Sequence, residues 1–263
     1  MIYTTKVTLI LAILISGIVG LVFGSFLNCG AWRATHGEKV SKGRSHCTSC
    51  GHVLSPIDLV PLFSWLSTGG KCRYCKEKVS IRYPITELVM ALLTIGLVLR
   101  FDFSVTTLKY FVLTCCLFSL TLTDFDDMII PDQYIIIPAV SYYFFLIFDF
   151  PGWKTVGCHT LAAICYGGGI LLVSIIFDFL TNKESLGGGD VKLFAIMGLY
   201  LGLVQSLFAV FISCIVGIVF STVLKRINTD EEQHFPFGPA IAAGTYIVLL
   251  AGDVIQNWYF GLF

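Results

Sequence analysis

Ser185-Leu186-Gly187-Gly188-Gly189-Asp190-Val191-Lys192-Leu193 sets three glycines and a carboxylate between two long apolar runs. An ionisable side chain beside membrane-like sequence is costly and calls for a named partner. The best partner is Asp124, which opens Asp124-Phe125-Asp126-Asp127-Met128-Ile129-Ile130-Pro131-Asp132, again between apolar segments. Two nearby carboxylates do not readily both ionise. They share a proton, so one can activate a water as general base while the other protonates a scissile carbonyl or amine. The glycines supply permissive backbone where a substrate strand could approach closely. Taken alone, Gly-Gly-Gly-Asp also reads as a loop with an aspartate capping the next helix. Among the other acids, Asp127 shares a helical face with Asp124, and Asp132 follows a proline and reads as a turn or cap residue. Asp124 is only slightly ahead, because it lies deepest against the preceding apolar run.

Outward from these two stretches the chain is overwhelmingly apolar. Of its 263 residues 56% are hydrophobic and 13% charged, with a mean hydropathy of +0.84. Charged residues make up about a quarter of ordinary globular sequences, so a soluble fold is excluded and an all-α polytopic membrane protein is expected. The first apolar run, 7–27, has the length of a spanning helix and exceeds the roughly 7 to 15 residues of a signal-peptide core. Seven more runs follow, at 84–99, 105–123, 134–148, 159–180, 191–203, 206–224 and 239–255, giving about eight transmembrane helices. Between the first two lies a polar, basic segment with Arg33, Lys39, Lys42, Arg44, Lys71, Arg73, Lys76, Lys78 and Arg82 against Glu38, Asp58 and Glu77. The positive-inside rule makes this segment cytoplasmic. Two crossings separate it from Asp124 and two more separate Asp124 from Asp190, so both acids reach the cytoplasmic face. A shared face is what a catalytic pair requires, and it turns the balance away from the capping reading. The expected division is a first transmembrane helix at 1–30, a cytoplasmic tetracysteine domain at 31–83 and a multi-helix membrane domain at 84–263. Net charge is zero, so the total says nothing about nucleic acid and the distribution along the chain carries the information; no nucleotide fingerprint is present, and the expected surroundings are membrane lipid, with no nucleic acid.

Four of the ten cysteines sit in the polar segment, as Cys47-Thr48-Ser49-Cys50 and Cys72-Arg73-Tyr74-Cys75. Each Cys-x-x-Cys knuckle offers two thiolates, and two knuckles close a tetrahedral zinc site. Two disulfides conflict with a reducing cytoplasm, and a thioredoxin-like redox pair would need a βαβ pattern that is missing. A structural zinc is therefore expected on Cys47, Cys50, Cys72 and Cys75, with four sulfur ligands leaving no position open for chemistry. His46 and His52 flank the first knuckle, where either could replace a ligand, and are expected beside the site or in solvent instead. Glu87, just inside the second apolar run, is compatible with a satisfied buried polar group or with a site. Pro236-Phe237-Gly238-Pro239 reads as a rigid turn that starts the last helix.

With these residues assembled, the chain resembles the bacterial type IV prepilin peptidases, the prepilin leader peptidase/N-methyltransferases. The resemblance rests on Gly24-Ser25-Phe26-Leu27-Asn28, Arg44-Ser45-His46-Cys47 with the four cysteines, Arg82-Tyr83-Pro84 with Glu87-Leu88, and the 124–132 segment ending Ile130-Pro131-Asp132. It continues through Gly188-Gly189-Asp190-Val191-Lys192 and Pro236-Phe237-Gly238-Pro239. It departs at Trp32-Arg33-Ala34-Thr35, where the family usually has Tyr-Arg-Leu-Pro, and in the additional Asp127. The resemblance implies an inner-membrane aspartic peptidase of the GxGD type, whose catalytic acids match Asp124 and Asp190. It further implies cleavage of prepilin or pseudopilin leaders on the cytoplasmic side, then methylation of the new amino terminus from S-adenosylmethionine. Two other functions fit the same residues: a GxGD intramembrane peptidase without methyl transfer, and a zinc-containing membrane scaffold or transporter whose acids bind a proton or cation.

Overall fold

In the computed structural model, residues 6–37, 43–182, 186–227 and 236–261 are described; Glu38, Lys39 and Lys42 of the basic segment and Ser185 of the glycine stretch lie outside them. The described residues are helical, with α1 (Lys6–Thr35), α2 (Phe63–Ser67), α3 (Arg82–Phe101), α4 (Val105–Asp127), α5 (Gln133–Phe145), α6 (Trp153–Thr181), α7 (Gly188–Ile227) and α8 (Gly238–Phe260). Two isolated antiparallel bridges, His46 with Val53 and Lys71 with Lys78, supply the extended pairing among these residues. The protein is a multi-pass helical membrane protein. Among the described residues six helices are long and apolar enough to cross a bilayer: α1, α3, α4, α6, α7 and α8. The expected runs 191–203 and 206–224 fall together in α7, which breaks at Gly202 (φ 72°, ψ −175°), a conformation that glycine tolerates. The expected run 134–148 becomes α5, with 13 residues. Its backbone continues as one tight turn, in which Leu146, Ile147 and Phe148 N–H groups bond back to Tyr143, Phe144 and Phe145.

The chain divides into two compact units between Leu122 and Thr123, inside α4. In the first, α1 is packed inside out relative to a soluble helix. Its buried face is Ala12, Ser16, Gly20, Gly24 and Asn28, every fourth residue, while Ile10, Leu14, Ile18, Val22 and Phe26 are exposed. Lipid is as apolar as leucine, so helix association in a membrane relies on small residues that bring backbones together. A Cβ on Gly20 would lie 2.5 Å from the Ala91 Cα, and one on Gly24 would lie 2.9 Å from the Glu87 Cα. The α1–α3 contact ends in a buried hydrogen bond, Asn28 Nδ2 donating to Thr86 Oγ1 at 3.0 Å. At 30 residues α1 is about 45 Å long, longer than the bilayer core, so its last turns carry Trp32 and Arg33 into the polar segment.

In the second unit α6 and α8 both pack on α7, again through glycines. A Cβ on Gly198 would meet the Ala162 carbonyl at 2.6 Å, and one on Gly244 would meet the Ala209 carbonyl at 2.8 Å. The break at Gly202 is covered by α6 side chains: His159 Nδ1–H donates to the Leu199 carbonyl at 2.9 Å, and the Tyr166 hydroxyl donates to the Leu203 carbonyl at 2.7 Å. Backbone groups freed by a broken helix within hydrocarbon must be satisfied by protein, and two carbonyls beside the break are satisfied in this way.

Replacing Gly20 with valine tests the close approach of α1 and α3. Overpacking at such a contact costs about 1–3 kcal/mol. Gly20→Val is expected to lower the unfolding midpoint in detergent clearly, while Ile18→Val, on the exposed face, leaves it unchanged.

Candidate active site

Asp124 and Asp190 both lie in the second unit. Asp124 is in the last turn of α4 and is 5% exposed. A carboxylate at a helix C-terminus faces an adverse dipole, and the compensation comes from elsewhere in the chain. The N–H of Gly238, the first residue of α8, donates to Asp124 Oδ2 at 3.0 Å. Asp190 occupies the first turn of α7, which begins at Gly188, so it sits at the favourable end of its own helix. Each acid therefore stands at a helix N-terminus. The Asp124 charge acts directly on Asp190. Asp190 Oδ1 is buried and takes no hydrogen bond from the described residues. A buried, unsatisfied carboxylate oxygen is unstable unless something donates to it, and here it faces a second acid.

Glycines make this arrangement possible by leaving room for Ile130. A Cβ on Gly189 would come within 2.9 Å of the Ile130 Cβ, and one on Gly238 would lie 3.4 Å from the Ile130 Cδ1 and 2.6 Å from Asp124 Oδ2. Ile130 therefore packs against both Gly189, the neighbour of Asp190, and Gly238, the donor to Asp124. The remaining acids of the segment go elsewhere. Asp126 and Asp127 are exposed, and Asp132 stands at the N-cap position of α5 with its carboxylate 2.6 Å from Lys192 Nζ. Sequence reasoning placed Pro236-Phe237-Gly238-Pro239 as a turn and missed that Gly238 holds an acid. The available signal was a glycine before a proline at a helix start, where a bare N–H can be approached closely.

The polar segment in the first unit folds around the cysteines as two near-copies. In the first knuckle Gly51 N–H bonds to the Cys47 carbonyl and Cys47 N–H to the His52 carbonyl; in the second, Lys76 N–H bonds to the Cys72 carbonyl and Cys72 N–H to the Glu77 carbonyl. Gly51 and Lys76, each four residues past the first cysteine of its knuckle, both have positive φ, 71° and 63°. The Sγ atoms of Cys47, Cys50, Cys72 and Cys75 lie within 4.8 Å of one another, with Cys47 and Cys75 at 3.9 Å. Metal–sulfur bonds of about 2.3 Å in a tetrahedron put sulfurs roughly 3.8 Å apart, so the residues fit one metal ion. The Cys50 N–H is the main influence that brings the Cys47 thiol down to about 6. A thiol that ionises this readily is prepared for a divalent cation.

Asp58 braces the second knuckle. It accepts hydrogen bonds from Ser55 Oγ at 2.7 Å, Tyr74 Oη at 2.9 Å and Arg73 Nε at 2.9 Å, and the Ser55 hydroxyl leads the interactions that hold its carboxyl down at about 2. Glu87 does the same for the loop's approach to the membrane helices. It is 7% exposed, and its Oε2 accepts the N–H of Leu62, a residue in the strained left-handed region at φ 59°. Glu87 is thus a buried polar group with a definite partner.

The fold and the carboxylate pair define a polytopic helical membrane protein with two acids gathered at helix N-termini. The family model described as bacterial peptidase A24 N-terminal domain matches residues 18–101, and that of the type IV leader peptidase family matches residues 111–222. The chain is 36% identical over 221 residues to the prepilin leader peptidase/N-methyltransferase of Aeromonas salmonicida (strain A449), covering 82% of this chain and 74% of that protein. It is 31% identical over 255 residues to the protein of that name from Bacillus subtilis (strain 168), covering 92% and 95%, and 30% identical over 277 residues to that of Neisseria gonorrhoeae, covering 94% of each. No solved structure matches the chain. The chain belongs to the type IV leader peptidase family.

Two outcomes follow for the polar segment. Cys72→Ser removes a buried ligand and is expected to take bound metal from about one ion per chain to near zero, measured by elemental analysis of the purified protein. Asp58 has a folded pKa below its unfolded value of about 4, so its contribution is complete above that pH and is lost as pH falls toward 2. Limited proteolysis of the loop should accelerate across that window, and Asp58→Asn should remove this component of the pH dependence.

Proposed function

We propose that this protein is a bacterial inner-membrane aspartic endopeptidase that removes the leader of type IV prepilins or pseudopilins on the cytoplasmic side and then N-methylates the new terminal residue. The observation that carries the peptidase reading is the buried, unsatisfied Asp190 Oδ1 in the field of Asp124. A cation-binding scaffold would instead surround its acids with further ligands. The catalytic residues are Asp124 and Asp190. One carboxylate, ionised, takes a proton from a water whose oxygen attacks the scissile carbonyl carbon; the other, protonated, gives its proton to the carbonyl oxygen. Collapse of the tetrahedral intermediate breaks the carbon–nitrogen bond, and a carboxyl proton passes to the departing amine. The Gly238 N–H keeps one oxygen of Asp124 occupied and so fixes which oxygen faces the water.

The relatives are named N-methyltransferases as well as peptidases, which supports a second step on the amine just released. S-adenosylmethionine, when bound, supplies the electrophilic methyl group for that step. The metal on Cys47, Cys50, Cys72 and Cys75 is zinc in a structural role, because four thiolates suit it and leave no open position. The basic composition of the polar segment supports a cytoplasmic loop by the positive-inside rule, and an active site facing the cytoplasm is part of the same reading.

Asp124→Asn and Asp190→Asn are each expected to abolish cleavage of a co-expressed prepilin while the protein still inserts, read by the intact mass of the recovered substrate. Normal cleavage by either variant removes that acid from the mechanism. Gly238→Ala puts a methyl group 2.6 Å from Asp124 Oδ2 and must displace the acid, so cleavage should fall about 100-fold, the size expected for a misplacement near 1 Å.

A further inference from the structure

Residues 59–70, between the two cysteine knuckles, contain no charged side chain, although the segment around them is basic. Ile57, Leu59, Val60, Phe63 and Leu66 all stand exposed here, Phe63 at 68% and Leu66 at 64%. Their backbone is held in shape from three sides. Glu87 Oε2 accepts the Leu62 N–H at 2.8 Å, and the Trp65 indole N–H donates to the Val79 carbonyl at 3.1 Å. Gly70, where a Cβ would lie 2.8 Å from the Trp65 ring, lets the chain turn back against that indole. Five apolar side chains kept outward on a braced loop mark a surface that meets lipid or protein.

The position of the loop selects lipid. Leu59 lines the same cavity as Val22 and Phe26, which belong to the exposed, lipid-facing side of α1. Counting about 1.5 Å per residue from Val7, where the apolar run begins, Val22 and Phe26 lie about 22 and 28 Å along the helix, near the far edge of a hydrocarbon core about 30 Å thick. The Glu87 bond likewise ties Leu62 to the second turn of α3. The loop therefore hangs where hydrocarbon gives way to headgroups. Its border is cationic: Lys78, next to the Val79 that accepts the indole N–H, pairs with Lys71 in an antiparallel bridge, and both lysines are exposed. We propose that the 57–66 face of the cysteine loop is a membrane-docking surface, seated in the headgroup–acyl boundary of the leaflet around the C-terminal half of α1. Its apolar side chains enter that boundary, and Lys71 and Lys78 remain at the level of anionic headgroups. A second copy of this chain, or the apolar segment of a prepilin, would first have to displace the lipid that already lies against Val22 and Phe26.

The test uses the full-length protein in nanodiscs of phosphatidylethanolamine and phosphatidylglycerol, with photoreactive benzoylphenylalanine in place of Phe63 or, separately, Leu66. Both side chains are exposed, so the replacement leaves the packing of the loop unchanged. After irradiation, peptide mass spectrometry should find a phospholipid attached at each position, with or without a prepilin present. Attachment only to a second copy of the chain, only to the prepilin, or to nothing overturns the proposal. A second measurement does not depend on the photoreactive group. In the same nanodiscs, the double variant Phe63→Asp/Leu66→Asp should be cut within the loop by protease at least tenfold faster than the wild type, with metal content unchanged. Equal rates of cutting, with metal retained by both proteins, also overturn it.

Discussion

The hydrogen bond from the Gly238 N–H to Asp124 Oδ2 joins residues 114 positions apart and sets what the rest of the second unit must do. Without it, Asp124 would be a buried carboxylate at the wrong end of its own helix. With it, the start of α8 becomes the N-terminal donor that α4 cannot provide. The bond exists only if nothing projects from residue 238, and the same bareness at Gly189 lets Ile130 fill the space beside the second acid. The pair is thus positioned by backbone and hydrocarbon, which leaves the remaining carboxylate oxygens available for chemistry.

Much of this was legible before any coordinates. Apolar runs gave the helices because a bilayer admits few other solutions, and the spacing of the four cysteines gave the cluster that could hold a metal because tetrahedral coordination by paired knuckles constrains it closely. Less legible were features that depend on partners distant in sequence. Hydrophobicity ended the first helix at residue 27, where polar residues begin, but the backbone continues as helix to Thr35, with no proline to interrupt it and Gly30 buried within it. The fourfold spacing of Ala12, Ser16, Gly20, Gly24 and Asn28 went unread in the apolar run, because what makes it a packing stripe is its partner on α3. Helix α5, with 13 residues, and the merging of two runs into one broken α7 show that apolar length alone does not fix where a helix starts or stops.

The acids tell the same story at finer scale. Four aspartates within residues 124–132 looked nearly equivalent, and burial separates them: Asp124 points inward to a donor, Asp126 and Asp127 face outward, and Asp132 engages Lys192 at the surface. Glu87, ambiguous in the sequence, acquires one definite structural duty in the bond to Leu62.

The break in α7 has a further effect on the site at the other end of that helix. His159 and Tyr166 of α6 grip carbonyls on either side of Gly202, so sliding α7 by one turn would strip both contacts and expose two bare carbonyls to hydrocarbon. The half of α7 that begins with Asp190 is therefore indexed against α6 from its far end. This gauge fixes how far along α6 the acid can sit, independently of bilayer thickness.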